Sequence, residues 1–408
     1  MTAVADPAPP RAAVPATYAS AFFSLSAVPM ISLAVPLWAA QLALSPVLIG
    51  IAMGVPALIP LAYSIQVGGL MDRFGVRRLM LGFSLCGTAA PLLYPLLPNA
   101  PGLIVLQMLT GFAYSMNWVG AQTAIGRLAR GSPGHAGRFG FASSAGTFVG
   151  PLLVGWTWDQ GGAWPAFGLI GAWSAALFAA VWFLPVRQGP AGHPPDRLRW
   201  SDVIPDIGVY LTAARMLVSA QVQFVIYCTF TRICVVSIQA SFYTVYLEQT
   251  RFSAAEIGFL IAVSSLVSSP ATLVAGLLAR LLPIRLVLLA SIGAGAAALA
   301  LTPVLDSLVA LTLASMLLGF GVGVSFPLTL ASLSSATSRE AQGLGMGLRA
   351  TANRAASLAL PVVMGLVVQA AGITAAFWIV GGTLLVAIAW IGVAFSAGRR
   401  HPEEASGG

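Results

Sequence analysis

The chain has 408 residues, 58% of them hydrophobic and 8% charged, and its formal net charge of +8 comes from arginine with no lysine at all. No soluble domain of this size is so apolar, so a soluble enzyme is excluded. The excess positive charge is explained below by membrane orientation, which leaves a nucleic-acid partner without support.

Residues 1–17 are rich in Ala and Pro, carry Arg11 and lack a cleavable signal pattern, so they are expected to form a disordered cytoplasmic tail. Apolar runs then follow one another along the chain. The hydrocarbon core is about 30 Å thick and an α-helix rises about 1.5 Å per residue, so about 20 apolar residues cross it. Twelve such spans are read at 18–41, 47–70, 78–98, 103–125, 138–158, 165–185, 219–247, 255–279, 285–303, 308–330, 343–369 and 374–396. The expected fold class is an all-α membrane protein with 12 transmembrane helices.

Cytoplasmic loops retain arginine, and translocated loops are depleted of it. Seventeen of the 20 arginines fall in the tails or in and beside the even-numbered loops, and only Arg251 falls in an odd-numbered one. Both termini are therefore expected on the cytoplasmic side of the cytoplasmic (inner) membrane. Cys86, Cys228 and Cys234 lie in apolar spans and read as small buried hydrophobes. His135, His193 and His401 are too scattered to hold a metal, and no cofactor motif is found. Without lysine there is no phosphate-binding loop for ATP.

A shift of about 207 to 210 residues brings the chain onto itself. Gly137, Pro151, Gly155, Gly162 and Phe167 fall on Gly347, Pro361, Gly365, Gly372 and Phe377, while Ile49 and Gly50 fall on Ile257 and Gly258. One coincidence is weak, but several in one order at nearly one offset indicate a duplicated six-helix unit. The organisation expected is an N-terminal six-helix bundle at 18–185, a cytoplasmic linker at 186–218 with a short helix through Ile207 to Leu217, a C-terminal six-helix bundle at 219–396, and a cytoplasmic tail at 397–408. Parallel repeats of this kind place a substrate site between the halves near mid-membrane.

At the end of the second span stands Gly68-Gly69-Leu70-Met71-Asp72-Arg73-Phe74-Gly75-Val76-Arg77. This stretch resembles the loop signature G-x-L-x-D-R-x-G-R-R/K of the major facilitator superfamily, with Val76 in place of one basic residue. The resemblance implies two pseudo-symmetric bundles and a gating role for Asp72, Arg73, Gly75 and Arg77, latching toward the start of the eleventh span near Arg349. The second-half copy has Ala279 and Leu282 where the first has Asp72 and Gly75, so such a latch is asymmetric. In the fifth span, Gly137, Gly146, Gly150-Pro151 and Val154-Gly155 are similar to that superfamily's antiporter signature, with Val154 replacing a glycine. That likeness implies gating roles for Gly146, Gly150 and Pro151 and tips the reading toward efflux.

Arg232 in the seventh span and Arg354 in the eleventh are charges in hydrocarbon, where each costs at least about 2.5 to 3.5 kcal/mol unless it meets a polar cavity or a partner. A guanidinium matches carboxylate or phosphate with paired hydrogen bonds. Gln239 and Tyr243 follow Arg232 at intervals of seven and four, along one helical stripe. Gln107, Tyr114, Asn117 and Trp118 make a similar stripe on the fourth span, and Asn353 adjoins Arg354. The candidate substrate-binding residues are thus Arg232, Arg354, Gln239, Tyr243, Asn117, Tyr114, Trp118 and Asn353, although each also suits plain interhelical hydrogen bonding.

The function expected is secondary transport of a small organic solute by alternating access, with efflux and an anionic or amphipathic substrate favoured. An organic-anion importer or exchanger is the alternative, and a membrane-embedded receptor or enzyme is remote because the spans hold no catalytic cluster. The partners are the substrate, the lipid bilayer, and protons or a counter-anion, with a monomer as the unit. No acid lies deep in a span, so proton coupling falls on Asp72 or on Asp159, Glu248, Glu256 or Asp306 at the far side, or on the substrate itself.

Overall fold

The structure, a computed structural model, describes residues 12–63, 71, 74–129, 132–185, 207–338 and 341–397. Every regular element among them is a helix. Twelve spans are numbered in chain order. In the first half they are α1 (Ala13–Gln41), α2 (Pro46–Tyr63), α3 (Val76–Leu93), α4 (Ala100–Ala129), α5 (Pro133–Gly161) and α6 (Ala163–Trp182). In the second they are α7 (Ala220–Gln249), α8 (Ala254–Leu281), α9 (Ile284–Leu301), α10 (Leu308–Ala336), α11 (Gln342–Ala371) and α12 (Ile373–Ala397). Twelve spans bring both chain ends to one face, called the terminal face here; the other is the opposite face.

Ten of the twelve are long and apolar enough to cross a bilayer on composition alone. The two that are not are α3, which opens on Arg77 and Arg78, and α4, which carries Gln107, Tyr114, Asn117 and Gln122. In their middle parts the polar groups pack inward, with Gln107, Tyr114 and Asn117 buried, while Arg78 and Gln122, toward the helix ends at the terminal face, are exposed. The first helix starts at Ala13, which is fully buried with Ala16 and Thr17, so the expected tail is shorter than residues 1–17. Apolar contact extends the helix beyond what alanine-rich composition alone suggests. Between the halves a helix occupies Ile207–Arg215, followed by a single 3-10 turn to Val218.

Packing repeats from one half to the other. α1 lies on α5 as α7 lies on α11, and α3 packs on α4 and α6 as α9 packs on α10 and α12. The halves meet at two seams, α5 on α8 and α2 on α11, which the repeat relates to each other. Each seam is a reciprocal glycine crossing. A Cβ on Gly155 would overlap the Ala254 carbonyl, and one on Gly258 would overlap the Pro151 carbonyl. At the other seam Gly365 faces the Pro46 carbonyl, and Gly50 faces the Pro361 carbonyl. Only glycine lets backbones come this close, where Cα–H groups contact carbonyl oxygens. The residues in these crossings are the ones paired by the sequence repeat.

All of these crossings lie in the halves of the helices nearer the opposite face. Toward the terminal face, a Cβ on Gly137, Gly140 or Gly343 would meet nothing within 4 Å. The glycine crossings thus cluster toward one face, while farther along the α5–α8 seam the Ser269 hydroxyl donates to the Ser144 hydroxyl at 2.6 Å.

Asp159 also joins the halves at this seam. Its carboxylate oxygens accept from the backbone N–H groups of Ala254 at 3.0 Å and Ala255 at 2.9 Å, across the seam. A helix start leaves its first N–H groups without intrahelical partners. At α8 the Ser253 hydroxyl accepts from Glu256 N at 3.2 Å, and the Glu256 carboxylate accepts from Ser253 N at 2.8 Å. This capping box serves two donors, and Asp159 of the other half serves the two between them. Asp159→Asn is therefore expected to weaken closure of the opposite face by about 1 to 2 kcal/mol, since one amide oxygen replaces a charged two-oxygen acceptor at a largely exposed site. A longer distance between spin labels at Gln160→Cys and Arg251→Cys in that background checks it, and an unchanged distance refutes it.

Candidate functional site

α7 is not one continuous helix. Its first segment ends at Gln239 and its second starts at Phe242, and between them Ser241 leaves helical geometry with φ −129° and ψ −89°. The Ser241 hydroxyl donates back to the Ser237 carbonyl at 2.6 Å, supplying a donor to one carbonyl at the break. The stripe expected from Arg232 through Gln239 to Tyr243 is broken there. Arg232 and Gln239 keep their two-turn spacing, while Tyr243 starts a new segment and its hydroxyl pairs with the Ser315 hydroxyl of α10 at 3.1 Å. The periodicity argument failed at Tyr243 because it assumed an unbroken helix.

The charged centre lies where α7, α10 and α11 converge. Arg232 is only 6% exposed, and its guanidinium carbon sits 5.6 Å from the centroid of the Phe326 ring. Arg349 places its own guanidinium carbon 5.7 Å from the centroid of that same ring. The two charges therefore cannot be farther apart than the sum of those distances. Cation–π attraction of about 0.5 to 2 kcal/mol each holds them on the ring. It does not use their in-plane donors: Nε of Arg232, and Nε and Nη1 of Arg349, are buried and without a hydrogen-bond partner. No carboxylate pairs with either arginine among the described residues. Phe326 itself is 43% exposed although it lies well inside α10, so part of the ring is left uncovered by neighbouring side chains.

At about 1.5 Å per residue, Arg232 lies about 18 Å along α7 from the terminal-face end, and Arg349 about 10 Å along α11. Arg349 is the residue that counting arginines for orientation passed over. Its spacing of four from Asn353 puts both on one face of α11 and is the signal that finds it. The Asn353 side-chain oxygen is buried and unpartnered, as is the Gln239 side-chain nitrogen. Arg354, one residue on, is half-buried on a different bearing of the helix and has no contact with Phe326 or Arg232 among those described.

The α4 candidates separate. Asn117 is fully buried with neither amide atom partnered. Tyr114 packs inside the first bundle: a Cβ on Gly87 of α3 would lie 3.0 Å from its ring and 3.2 Å from the Ser174 hydroxyl of α6. Trp118 stacks on Phe139 of α5, with centroids 5.8 Å apart and planes 26° apart. Gln107 is committed to structure, accepting from the Tyr94 hydroxyl at 3.0 Å, and Thr110 stands 3.1 Å from that hydroxyl.

Of the gating residues, Asp72 and Arg73 lie outside the described residues. Gly75 caps α3 with φ +82°, a left-handed turn that suits glycine, and Arg77 lays its guanidinium 5.4 Å over the Trp182 ring. A Cβ on Gly146 would overlap the Phe22 carbonyl of α1, and one on Gly150 would crowd Met30. The Pro151 carbonyl receives Gly258 at the seam. The antiporter-like pattern thus packs α5 on one side against α1 and on the other against α8.

The described carboxylates sit at helix ends on the opposite face, and two of them are engaged. Asp159 binds the start of α8, and Glu256 caps it. Two bundles related by an internal repeat and joined by glycine seams, with a charged centre among the helices of the second, define a multi-pass membrane transporter. The family model of the Major Facilitator Superfamily matches residues 17–245 and again residues 225–408, and the chain belongs to that superfamily. Among solved structures it is similar to a mutant form of the nucleoside transporter NupG, with a TM-score of 0.77 at 15% identity over 94% of this chain and 99% of that one. It is also similar to the nucleoside transporter NupG without that mutation, with a TM-score of 0.70 at 15% identity over 94% and 98%. At that identity the likeness shows the shared fold. No curated protein matches the sequence.

Proposed function

We propose that this chain is a secondary transporter that moves a small organic anion, or an amphipathic solute with an anionic group, out of the cell by alternating access. Its membrane is the cytoplasmic (inner) membrane, with both termini cytoplasmic. The arginine distribution supports that orientation, and with it the glycine crossings lie in the halves of the helices that face away from the cytoplasm. The observation that carries the substrate reading is Arg232: a guanidinium 6% exposed, held on Phe326, with an unused donor and no carboxylate partner among the described residues. A cation kept in such a place needs an anion to complete it. Gln239, Asn353 and Asn117 add unpartnered amide atoms for the rest of the solute.

Efflux is supported by the small-residue pattern of α5, which sits at the moving seam. A second reading, anion exchange, is favoured by the carboxylates, because those described at the opposite face are outside the charged centre. Counterflow in proteoliposomes tests both. Vesicles preloaded with unlabelled benzoate are expected to accumulate labelled benzoate, and Arg232→Ala is expected to lower the rate at least about tenfold. Equal uptake of neutral or cationic solutes by wild type and Arg232→Ala, with no benzoate counterflow, would overturn the anionic reading.

A further inference from the structure

We infer that the cluster of Arg232, Phe326 and Arg349 is built for a head group with two negative charges, a phosphate monoester or a dicarboxylate, in preference to a single carboxylate. This rests on the anionic reading above and sharpens it.

Charge comes first. Two guanidiniums share one ring, at 5.6 and 5.7 Å from its centroid, and neither has a carboxylate partner among the described residues. One carboxylate neutralises one of them and leaves the other as an uncompensated charge beside it, an arrangement that low-dielectric surroundings penalise. A dianion balances both.

Hydrogen bonding gives the same answer independently. Among the unpartnered buried atoms of Arg232, Gln239, Arg349 and Asn353, four are donors, Nε of Arg232, Nε and Nη1 of Arg349 and Nε2 of Gln239, against one acceptor, the Asn353 oxygen. Two guanidiniums approaching from separate helices, α7 and α11, suit an acceptor with oxygens pointing in more than two directions. A phosphate has three terminal oxygens and a dicarboxylate four, whereas a carboxylate has two in one plane. Phe326 fixes the fork of each arginine without occupying its donors. The exposed part of the ring offers an apolar surface for the rest of the ligand, a match to an organic ester rather than to inorganic phosphate.

The test compares ligands that share one ring and differ in head-group charge. The purified full-length protein in detergent is titrated calorimetrically with phenyl phosphate, phthalate and benzoate at pH 7.5. Wild type is expected to bind phenyl phosphate or phthalate at least about tenfold tighter than benzoate, and which of the two wins identifies the source of the charge. Phenyl phosphate gains its second charge near pH 6 while the arginines stay charged, so its affinity is expected to rise from pH 5 to pH 7.5 by about threefold or more, with benzoate flat. Arg349→Gln is expected to reduce the preference to within about twofold by weakening the dianions more than benzoate. Arg349→Lys, which keeps the charge, is expected to retain part of the preference and shows that a loss in Arg349→Gln is not misfolding.

Equal affinity of wild type for all three anions, or a preference that survives Arg349→Gln, overturns the inference and leaves the anionic reading standing. Failure of wild type to bind any of the three, with binding of a neutral nucleoside, overturns the anionic reading itself.

Discussion

Leucine in place of Gly155 or Gly365 is expected to shift the protein toward a state open at the opposite face and to reduce transport more than about tenfold. At Gly155 a Cβ would overlap the Ala254 carbonyl and lie 2.9 Å from the Ala255 Cα, both backbone atoms that no rotamer change can move away. Gly365 meets the same obstacle, with its Cβ 3.2 Å from the Val47 Cα. Overpacking of this kind costs about 1 to 3 kcal/mol, and 1.4 kcal/mol is a tenfold change in a conformational equilibrium. The penalty falls on the contact between the halves and spares the core of each, so the bundles still fold. Spin labels at Gln160→Cys and Arg251→Cys, on opposite sides of the seam, are expected to gain a longer-distance population. Gly137→Ala and Gly140→Ala, where a Cβ meets nothing within 4 Å, are expected to leave the distances as they are. Unchanged distances and intact transport in Gly155→Leu would refute the role given to the seam.

Arg232→Met is expected to make the ligand-free protein more stable while ending anion binding. The guanidinium is 6% exposed and its Nε is unpartnered, so its removal relieves a desolvation penalty larger than the cation–π attraction that is lost. Methionine keeps most of the side-chain volume against Phe326. The net gain is about 1 to 2 kcal/mol, seen as a thermal midpoint higher by a few degrees, with no further rise on adding benzoate. A variant less stable than wild type would mean that the guanidinium serves the packing of α7 against α10, and the substrate role would fall.

The fold was legible because its determinants are local or periodic. Apolar runs mark the spans wherever the lipid decides, and Gly50, Gly258, Pro151 and Pro361 showed the repeat because backbone crossings tolerate so few substitutions. Span ends were less legible: α1 begins at Ala13, and α7 breaks at Ser241, where a hydroxyl rather than a proline marks the change. The site was legible only in part. Arg232 stood out as a charge in an apolar run, whereas Arg349 merged with the arginines near the even-numbered loops. Its meaning comes from Phe326, which is 23 residues earlier in the chain and on another helix. Tyr114 and Tyr243 are polar residues at helical intervals too, yet one packs within its own bundle and the other pairs with Ser315. Spacing along one helix cannot tell a lining residue from a structural one.

The reciprocal glycine crossings also constrain how the molecule moves. Because the joint between α5 and α8 recurs between α2 and α11 with the same partners exchanged, a tilt of one rigid half that loosens the first must loosen the second by a similar amount. Opening at that face is then expected to release both joints together, so paired distance labels across the two seams should lengthen in step.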